Sequence, residues 1–221
     1  MSQLTRAQQE LFQRSPDQRF GSLEELVDHC RQERRFSSDC WHLPGVLRPR
    51  AAHDSVTVSL GDEGSYSLND WSFTQLCRLS GVSKTTVNRL SPDTASCVLQ
   101  ETLPQADKPL QRLATGKSVR SLHGVSYTRL WNAELLDVVE EYASDFQPPP
   151  VGIGGATCRY CGEQDLFVFL IDPTGWAEIQ GEAFAPGFFL WNSEVGRRTL
   201  GVQTFWFQAV CANHVRRFTI R

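Results

Sequence analysis

The sequence lacks a long apolar run, and no stretch of it approaches the roughly 18 residues that a membrane-spanning helix needs. The first residues, from Met1 to Arg6, also lack the apolar core of a signal peptide. Neither insertion into a membrane nor export across one is therefore expected. These two absences predict a cytoplasmic protein that has no membrane partner.

The motifs of several enzyme classes are missing as well. No G-x-S-x-G turn surrounds Ser193. The glycine-rich segment 152–155 is followed by Ala156 and Thr157 instead of the lysine that ends a phosphate-binding loop. The spacing of four histidines is typical neither of catalytic residues nor of metal ligands. These histidines are His29, His42, His53 and His123. No active site is recognisable, so we expect a binding protein rather than an enzyme.

An excess of positive charge is also absent, because the formal net charge is -3. Any nucleic-acid binding must therefore use a local basic patch. The last 25 residues supply one, since they contain five arginines and no acid. We predict nucleic-acid contacts at four of these arginines, Arg197, Arg198, Arg216 and Arg217. The alternative is that this basic end is simply solvated.

Seven cysteines without a secretion signal predict reduced thiols rather than a disulfide framework. Cys158 and Cys161 have the spacing of a zinc knuckle, and Cys211 and His214 form a second pair with two residues between them. If the fold brings the two pairs together, these four residues would hold a structural zinc ion. The alternative is that Cys211 packs as a small apolar side chain and that the first pair lies in a loop as two thiols.

The first part of the chain is predicted to hold a lead-in, one helix, a loop and a strand. Residues 1–20 are polar and are expected to form a flexible lead-in to a single domain over 21–221. Ser22 is a predicted N-cap of a helix that ends near Arg34. Residues 36–52 contain Pro44, Gly45 and Pro49, so we predict a loop there, whereas 55–60 alternates as a strand.

The segment from Gln75 to Leu90 resembles the helix-turn-helix of the Lac-repressor type. Gly81 suits the turn, and Ser83 is a predicted N-cap of a second helix whose apolar residues Val87 and Leu90 face inward. The side chains that would then project toward DNA bases are Lys84, Thr85, Thr86 and Asn88. A tight pair of core helices needs the same pattern, so that interpretation stays open.

Helices and strands alternate in the middle of the chain. Ser91 and Pro92 begin a predicted helix that runs to Leu103, and a short helix is predicted over 108–114. Residues 119–130 predict β-structure, and Asn132 is a predicted N-cap of an amphipathic helix. The three prolines and three glycines of 147–156 predict a linker or a long loop.

The C-terminal part is β-rich. Residues 166–171 and 176–180 predict strands, Phe188 to Trp191 predicts another, and a long alternating strand runs from Thr199 to Cys211. A hairpin is the simplest connection between the last two. The segment between them, Asn192 to Arg198, is either a solvated turn or a site at the end of the sheet.

Three blocks of the chain resemble the phage- and plasmid-related family known by its domain of unknown function, number 932. They are 68–103, the block 117–136 that contains Ser126 and Tyr127, and 189–214. The third is the most specific, and its matching residues are Asn192, Ser193, Glu194, Gly196, Cys211 and Asn213. His214 departs from the glycine that the family pattern has at this position. The resemblance implies an α+β domain of mobile elements that acts in DNA replication, annealing or recombination.

The predicted fold class is therefore α+β. In this prediction a helical N-terminal half with a helix-turn-helix-like element packs on a mainly antiparallel sheet that the C-terminal half largely forms. The first functional hypothesis is binding of single-stranded DNA by the arginines, with aromatic rings such as Trp191, Phe205 and Trp206 nearby. The second is a sequence-specific regulator, which predicts a homo-oligomer, in the simplest case a dimer on a palindromic site. The third is a non-catalytic interaction or inhibitor protein.

Overall fold

The computed structural model describes residues 18–104, 107–149, 158–212 and 215–220. The chain divides into two compact units. Unit 1 contains the described residues of Met1–Gln32 and Leu130–Arg221, and unit 2 is Glu33–Arg129, the segment between them in sequence. None of the helices in the described residues is long and apolar enough to span a membrane.

The helices begin at local capping signals. They are α1 (Leu23–Arg35), α2 (Asp70–Leu79), α3 (Lys84–Val87), α4 (Pro92–Thr102) and α5 (Asn132–Tyr142). Ser22 Oγ accepts a hydrogen bond from the Glu25 N–H at 3.0 Å, and the Glu25 carboxylate accepts one from the Ser22 N–H at 3.3 Å. This reciprocal arrangement is a capping box, and it confirms the predicted cap at Ser22.

Unit 2 is built on a mixed sheet in the strand order β1-β5-β6-β4-β3-β2. Its strands are β1 (Ser37–His42), β2 (Leu47–Ala52), β3 (Ser55–Leu60), β4 (Ser65–Leu68), β5 (Leu110–Thr115) and β6 (Ser118–His123). β4 pairs with β6 in parallel, and the other neighbours are antiparallel. Helices α2, α3 and α4 contribute to one apolar core with the strands, for example through Leu76, Val87 and Leu99 against Val58 and Leu122.

Unit 1 is built on an antiparallel sheet in the order β12-β11-β10-β8-β7, with β9 paired to β10. The strands are β7 (Arg159–Cys161), β8 (Leu166–Ile171), β9 (Ala177–Ile179), β10 (Glu182–Asn192), β11 (Gly201–Ala212) and β12 (Val215–Ile220). The predicted hairpin is confirmed, since β10 and β11 pair with Leu190 opposite Val202. Of the predicted linker, Gln147 forms a bridge to Ile171, and residues 150–157 lie outside the described chain.

The two faces of the unit 1 sheet carry different apolar clusters. One cluster is largely aromatic and includes Phe167, Phe169, Phe189 and Phe205. The other contains strand residues such as Leu190 together with α1 and α5, which contribute the side chains Leu26, Val27, Cys30, Ala133, Leu135, Leu136 and Val139. Alternation along each strand therefore sends neighbouring residues into separate environments.

The prediction of a helical N-terminal half is wrong, because strands dominate unit 2. The predicted loop over 36–52 contains β1 and β2, and the short helix predicted over 108–114 is largely β5. Pro49 favoured the loop prediction over 36–52. It lies in β2 at the edge of the sheet, where a missing N–H donor is tolerated. In β5 the polar residues Gln111 and Arg112 are buried, so the strand does not show the alternation of a half-exposed strand.

Gly187 marks a tight contact inside the unit 1 sheet. A Cβ atom at this position would lie 2.7 Å from the Leu170 carbonyl oxygen and 2.8 Å from the Phe205 ring. We expect Gly187→Ala to lower the free energy of unfolding by about 1–3 kcal/mol, because backbone and a packed ring must move. Urea unfolding measures this change. The matched control is Gly124→Ala, which meets no atom within 4 Å; an equal loss in both variants would contradict the packing argument.

Candidate functional site

The loop after β10 contains a network of buried, hydrogen-bonded polar side chains. Glu194 Oε1 accepts a hydrogen bond from the Asn132 N–H at 2.8 Å, at the first residue of α5. Asn192 Nδ2 donates to the Leu130 carbonyl at 2.8 Å and to Asn132 Oδ1 at 2.9 Å. Glu194 is only 2% exposed, so its carboxylate caps the helix instead of meeting a ligand. Asn132 was the predicted N-cap, but Trp131 occupies that position without a side-chain cap bond.

Ser193 and Gly196 complete the same loop. Ser193 Oγ donates to the Gln164 carbonyl at 2.5 Å and accepts from the Arg197 N–H at 2.9 Å. Gly196 has φ +69°, a conformation that favours glycine. The segment predicted as either a solvated turn or a site is therefore largely a buried structural loop that sets the position of Arg197 and Arg198.

Arg197 and Arg198 line one polar cavity of about 450 Å³. Arg198 Nε lies 2.5 Å from Asp165 Oδ2, and its guanidinium carbon is 5.2 Å from the centre of the Phe167 ring. The lining residues are Gln18, Gly162, Glu163, Gln164, Asp165, Arg197 and Arg198. Two acids therefore balance two arginines, and a phosphate at Arg198 would compete with Asp165.

Other predicted residues are described only through the backbone or not at all. In β12, Arg216 pairs with Cys211 and Arg217 pairs with Val210. The two arginines thus lie on the strand next to β11. Asn213 and His214 lie outside the described residues.

One side of β11 presents an exposed strip, which we define as Val202, Thr204 and Trp206. Val202 is 61% exposed and Trp206 is 49% exposed, whereas the intervening Phe205 is buried in the aromatic cluster. Trp206 lies opposite Pro186 of β10. Of the three rings expected near the arginines, Trp206 is the exposed one, since Trp191 is half-buried and Phe205 is in the core.

The helix-turn-helix-like segment has the predicted turn but a short second helix. Gly81 has φ +65°, and Ser83 Oγ accepts from the Thr86 N–H at 3.4 Å, as predicted. Helix α3 ends at Val87 and does not include Leu90. The next helix starts with Ser91 as N-cap and Pro92 as its first residue, and the residue before a proline disfavours helical backbone.

The side chains predicted to meet DNA differ in their partners and in their exposure. Lys84 Nζ binds Asp70 and lies 3.0 Å from Thr74 Oγ1, so its charge is partly neutralised. Thr85 and Asn88 are exposed, but Asn88 already follows the end of α3. A cavity of about 370 Å³ is lined by Asn88, by Asp54 and by Asp70, and the Asp70 carboxylate is the partner of Lys84.

Cys158 and Cys161 face opposite sides of the unit 1 sheet. Cys158 belongs to the aromatic cluster, and burial raises the pKa of its thiol to about 12. Cys161 belongs to the cluster under α1, where its Sγ lies 3.9 Å from Cys30 Sγ. The two thiols lie in different apolar clusters, so the structure does not bring this pair to one ion. The side chain of Cys211, the third predicted zinc ligand, is not described.

A buried arginine in unit 2 was missed from the sequence. The Arg112 side chain is 2% exposed, and its Nη2 atom lies 3.0 Å from Glu63 Oε2. Its guanidinium carbon is 4.7 Å from the Tyr66 ring centre, and Tyr66 donates to Glu63 at 3.1 Å. His42 Nε2 lies 3.7 Å from Glu63 Oε1. An arginine at a position that faces inward in a short strand could have suggested such a cluster from the sequence.

No family model, no curated protein and no solved structure matches this chain. The resemblance to the phage- and plasmid-related family stays a prediction.

The buried cap of α5 yields a stability prediction. Glu194→Ala leaves the Asn132 N–H as a buried donor that has lost this acceptor, and we expect a loss of about 1–3 kcal/mol in the free energy of unfolding. Chemical denaturation measures the loss. The control is Glu141→Ala on the exposed face of the same helix, for which a change within about 0.5 kcal/mol is expected. Equal losses in both variants would exclude the carboxylate cap as a major stabilising contact.

The environment of His42 yields a pH prediction. Burial, with help from the positive charge of Arg112, lowers the pKa of His42, and the opposite effect of Glu63 is smaller. The unfolded chain then binds more protons than the folded one below the ordinary histidine pKa of about 6.5. The contribution of His42 to the free energy of unfolding is complete above that pH and decreases as the pH falls. We expect His42→Gln to flatten the decline of unfolding free energy between about pH 6.5 and 5; an unchanged slope would contradict this.

Proposed function

We propose that the protein binds single-stranded nucleic acid without catalysis, and that the exposed strip of β11 is the contact surface. The observation that carries the proposal is Trp206, which is 49% exposed on the sheet. Sheets that bind single strands stack unpaired bases on exposed rings, and this works for any base sequence. Val202 and Thr204 extend the surface along the same strand.

The neighbouring strand supplies positive charge. Arg217 pairs with Val210, which is four residues after Trp206 along β11, and Arg216 pairs with Cys211. At about 3.4 Å per residue, the distance along the strand from Trp206 to Val210 is roughly 14 Å. A single strand that stacks on Trp206 could therefore extend toward β12, where Arg217 is at a register position on the same face and its charge favours phosphates.

The described geometry gives less support to a duplex-binding regulator. A major-groove reader needs a helix whose outward side chains reach base edges, and α3 has four residues. The positive charge of Lys84 is also paired with the carboxylate of Asp70. Single-stranded DNA is therefore the preferred ligand, which agrees with what the family resemblance implies for mobile-element replication or recombination.

A protein partner is the second candidate, and a specific observation favours it. Val202 and Trp206 form an exposed apolar surface, and the nearby polar pair is Gln208 with Glu182, which contributes no positive charge. Exposed apolar surface with a tryptophan anchor is typical of protein interfaces. A protein that binds through the β11 strip would show no dependence on nucleic acid.

The test compares two exposed tryptophans of unit 1. Trp206→Ala should weaken binding of a labelled single-stranded DNA by roughly 5- to 150-fold, which corresponds to about 1–3 kcal/mol of stacking on one base. Trp176→Ala is the matched control, because Trp176 is 41% exposed but contacts Phe207 of the buried face. Equilibrium titrations with single- and double-stranded DNA at two salt concentrations measure both affinity and its salt dependence.

The arginines are tested by the salt slope. Each phosphate contact that is lost from a single strand reduces the slope by about 0.7. Arg217→Ala should therefore reduce both the affinity and the slope, whereas Arg216→Ala should change them less, because its register position opposite Cys211 is on the other face of the sheet from Trp206. Salt-insensitive binding, or an equal loss in the Trp206 and Trp176 variants, would contradict the proposal. Absence of binding to either form of DNA by the unaltered chain would leave the protein-partner candidate.

A further inference from the structure

Two buried thiols of unit 1 lie side by side. Cys30 comes from α1 and Cys161 from β7, 131 positions apart in sequence, and their Sγ atoms are 3.9 Å apart. Both side chains are buried in the cluster between the helices and the sheet. The two residues carry thiols and are not joined as a disulfide.

The distance between the two sulfur atoms is short enough for a covalent bond to form between them. A disulfide has a sulfur–sulfur bond of about 2.0 Å, so the two atoms must approach each other by about 2 Å. Rotation about the Cα–Cβ bonds of both cysteines moves the sulfur atoms over such a distance. Both residues belong to unit 1, so the bond would form within one compact unit.

Two donors point at the sulfur of Cys161. The Cys30 S–H donates to Cys161 Sγ at 3.9 Å, and Asn132 Nδ2 donates to the same atom at 3.8 Å. Asn132 is held in turn, because Asn192 donates to its side-chain oxygen and Glu194 accepts from its backbone N–H. Hydrogen bonds from fixed donors stabilise negative charge on the acceptor. They therefore favour Cys161 as the thiol that reacts as a thiolate.

A polar cavity reaches the backbone beside Cys161. Gly162 lines the cavity of about 450 Å³ that Arg197 and Arg198 also line. The Gly162 carbonyl oxygen lies 4.0 Å from Cys161 Sγ and accepts a hydrogen bond from the thiol. On the helix side, the exposed His29 has a ring nitrogen within 4.8 Å of the same sulfur. A molecule as small as hydrogen peroxide therefore has a short path from solvent to Cys161.

We propose that Cys30 and Cys161 are a site of oxidation by peroxide, at which a disulfide forms and fastens α1 to β7. Cys161 loses its proton to solvent, and its thiolate attacks one oxygen of hydrogen peroxide. The O–O bond breaks, hydroxide leaves and takes up a proton, and Cys161 becomes a sulfenic acid. The Cys30 sulfur then attacks the sulfenic sulfur, the S–S bond forms, and the oxygen leaves as water with the Cys30 proton. Two thiols are thus oxidised while one peroxide is reduced to two molecules of water.

The disulfide closes a long loop of the chain. This loop contains all of unit 2, Glu33–Arg129, and its ends join the two segments that form unit 1. A cross-link over a long loop stabilises the folded protein mainly by restricting the unfolded chain. The oxidised protein should therefore unfold at a higher urea concentration than the reduced protein. This property is independent of nucleic-acid binding.

The test treats the full chain, purified under reducing conditions, with hydrogen peroxide. The remaining thiols are alkylated, the protein is digested, and mass spectrometry identifies the cross-linked peptides. We expect a Cys30–Cys161 peptide pair whose yield does not depend on protein concentration, and a higher urea midpoint that a reductant reverses. Cys158→Ser is the matched control and should leave the pair unchanged, because Cys158 is also buried but belongs to the aromatic cluster.

Serine variants separate the roles of the two cysteines. Cys30→Ser removes the thiol that consumes the sulfenic acid, so an adduct with dimedone, a reagent for sulfenic acids, should accumulate at Cys161. Cys161→Ser should leave Cys30 without this adduct. The peptide map of the unaltered chain decides the proposal even if a variant misfolds. Several outcomes would overturn it: no Cys30–Cys161 pair in the treated protein, an unchanged urea midpoint, no adduct at Cys161 in folded Cys30→Ser, or loss of the pair in Cys158→Ser.

Discussion

The contact between the Glu194 carboxylate and the Asn132 N–H supports much of unit 1. A buried carboxylate at a helix N-terminus satisfies an otherwise orphaned donor and meets the positive end of the helix dipole. The contact also joins the β10–β11 connection to α5, which packs on the sheet. The Asn132 side chain in turn donates a hydrogen bond to Cys161 Sγ. Asn132 therefore links the capped start of α5 to the neighbouring thiols of Cys30 and Cys161. The segment that most resembled a surface motif is thus the structural centre of the unit.

The pleat of the unit 1 sheet decides which residues can act together. Phe205 and Trp206 are neighbours in sequence, yet one fills the aromatic cluster and the other faces outward. Cys158 and Cys161 are likewise divided between the two clusters, which gives each thiol a different set of neighbours. The spacing of two side chains in the sequence therefore shows whether they can act together only once the backbone conformation of the segment is known. Two residues separated by two others can approach each other in a loop, but they point apart in a strand.

Parts of this fold were predictable because their signals are local. The strands over 55–60 and 166–171 agree with the predicted bounds, and the cap at Ser83 and the turn at Gly81 are as expected. These features depend on alternation, apolar runs and turn chemistry within a few residues. The sheet of unit 2 was missed because a proline is harmless at an edge strand, which is a property of topology rather than of composition.

The candidate sites depended on contacts between distant parts of the chain. The partner of Cys161 is 131 residues away, and the acceptor at the start of α5 is 62 residues away. No local pattern contains such pairs. The predicted arginines were found as a composition bias, but the acid that pairs with Arg198 comes from a different loop. Sequence could identify the chemical groups here but not their neutralising partners.

Unit 1 is assembled from two segments of chain that flank unit 2, and this order matters during synthesis. The apolar face of α1, with Leu26 and Cys30, packs against strand residues as late as Leu190. At about 5–20 residues per second, a ribosome needs roughly 10–30 s to proceed from one to the other. During that interval Cys30 has no sheet to pack on, so the nascent chain presents a solvent-accessible thiol that the finished protein conceals.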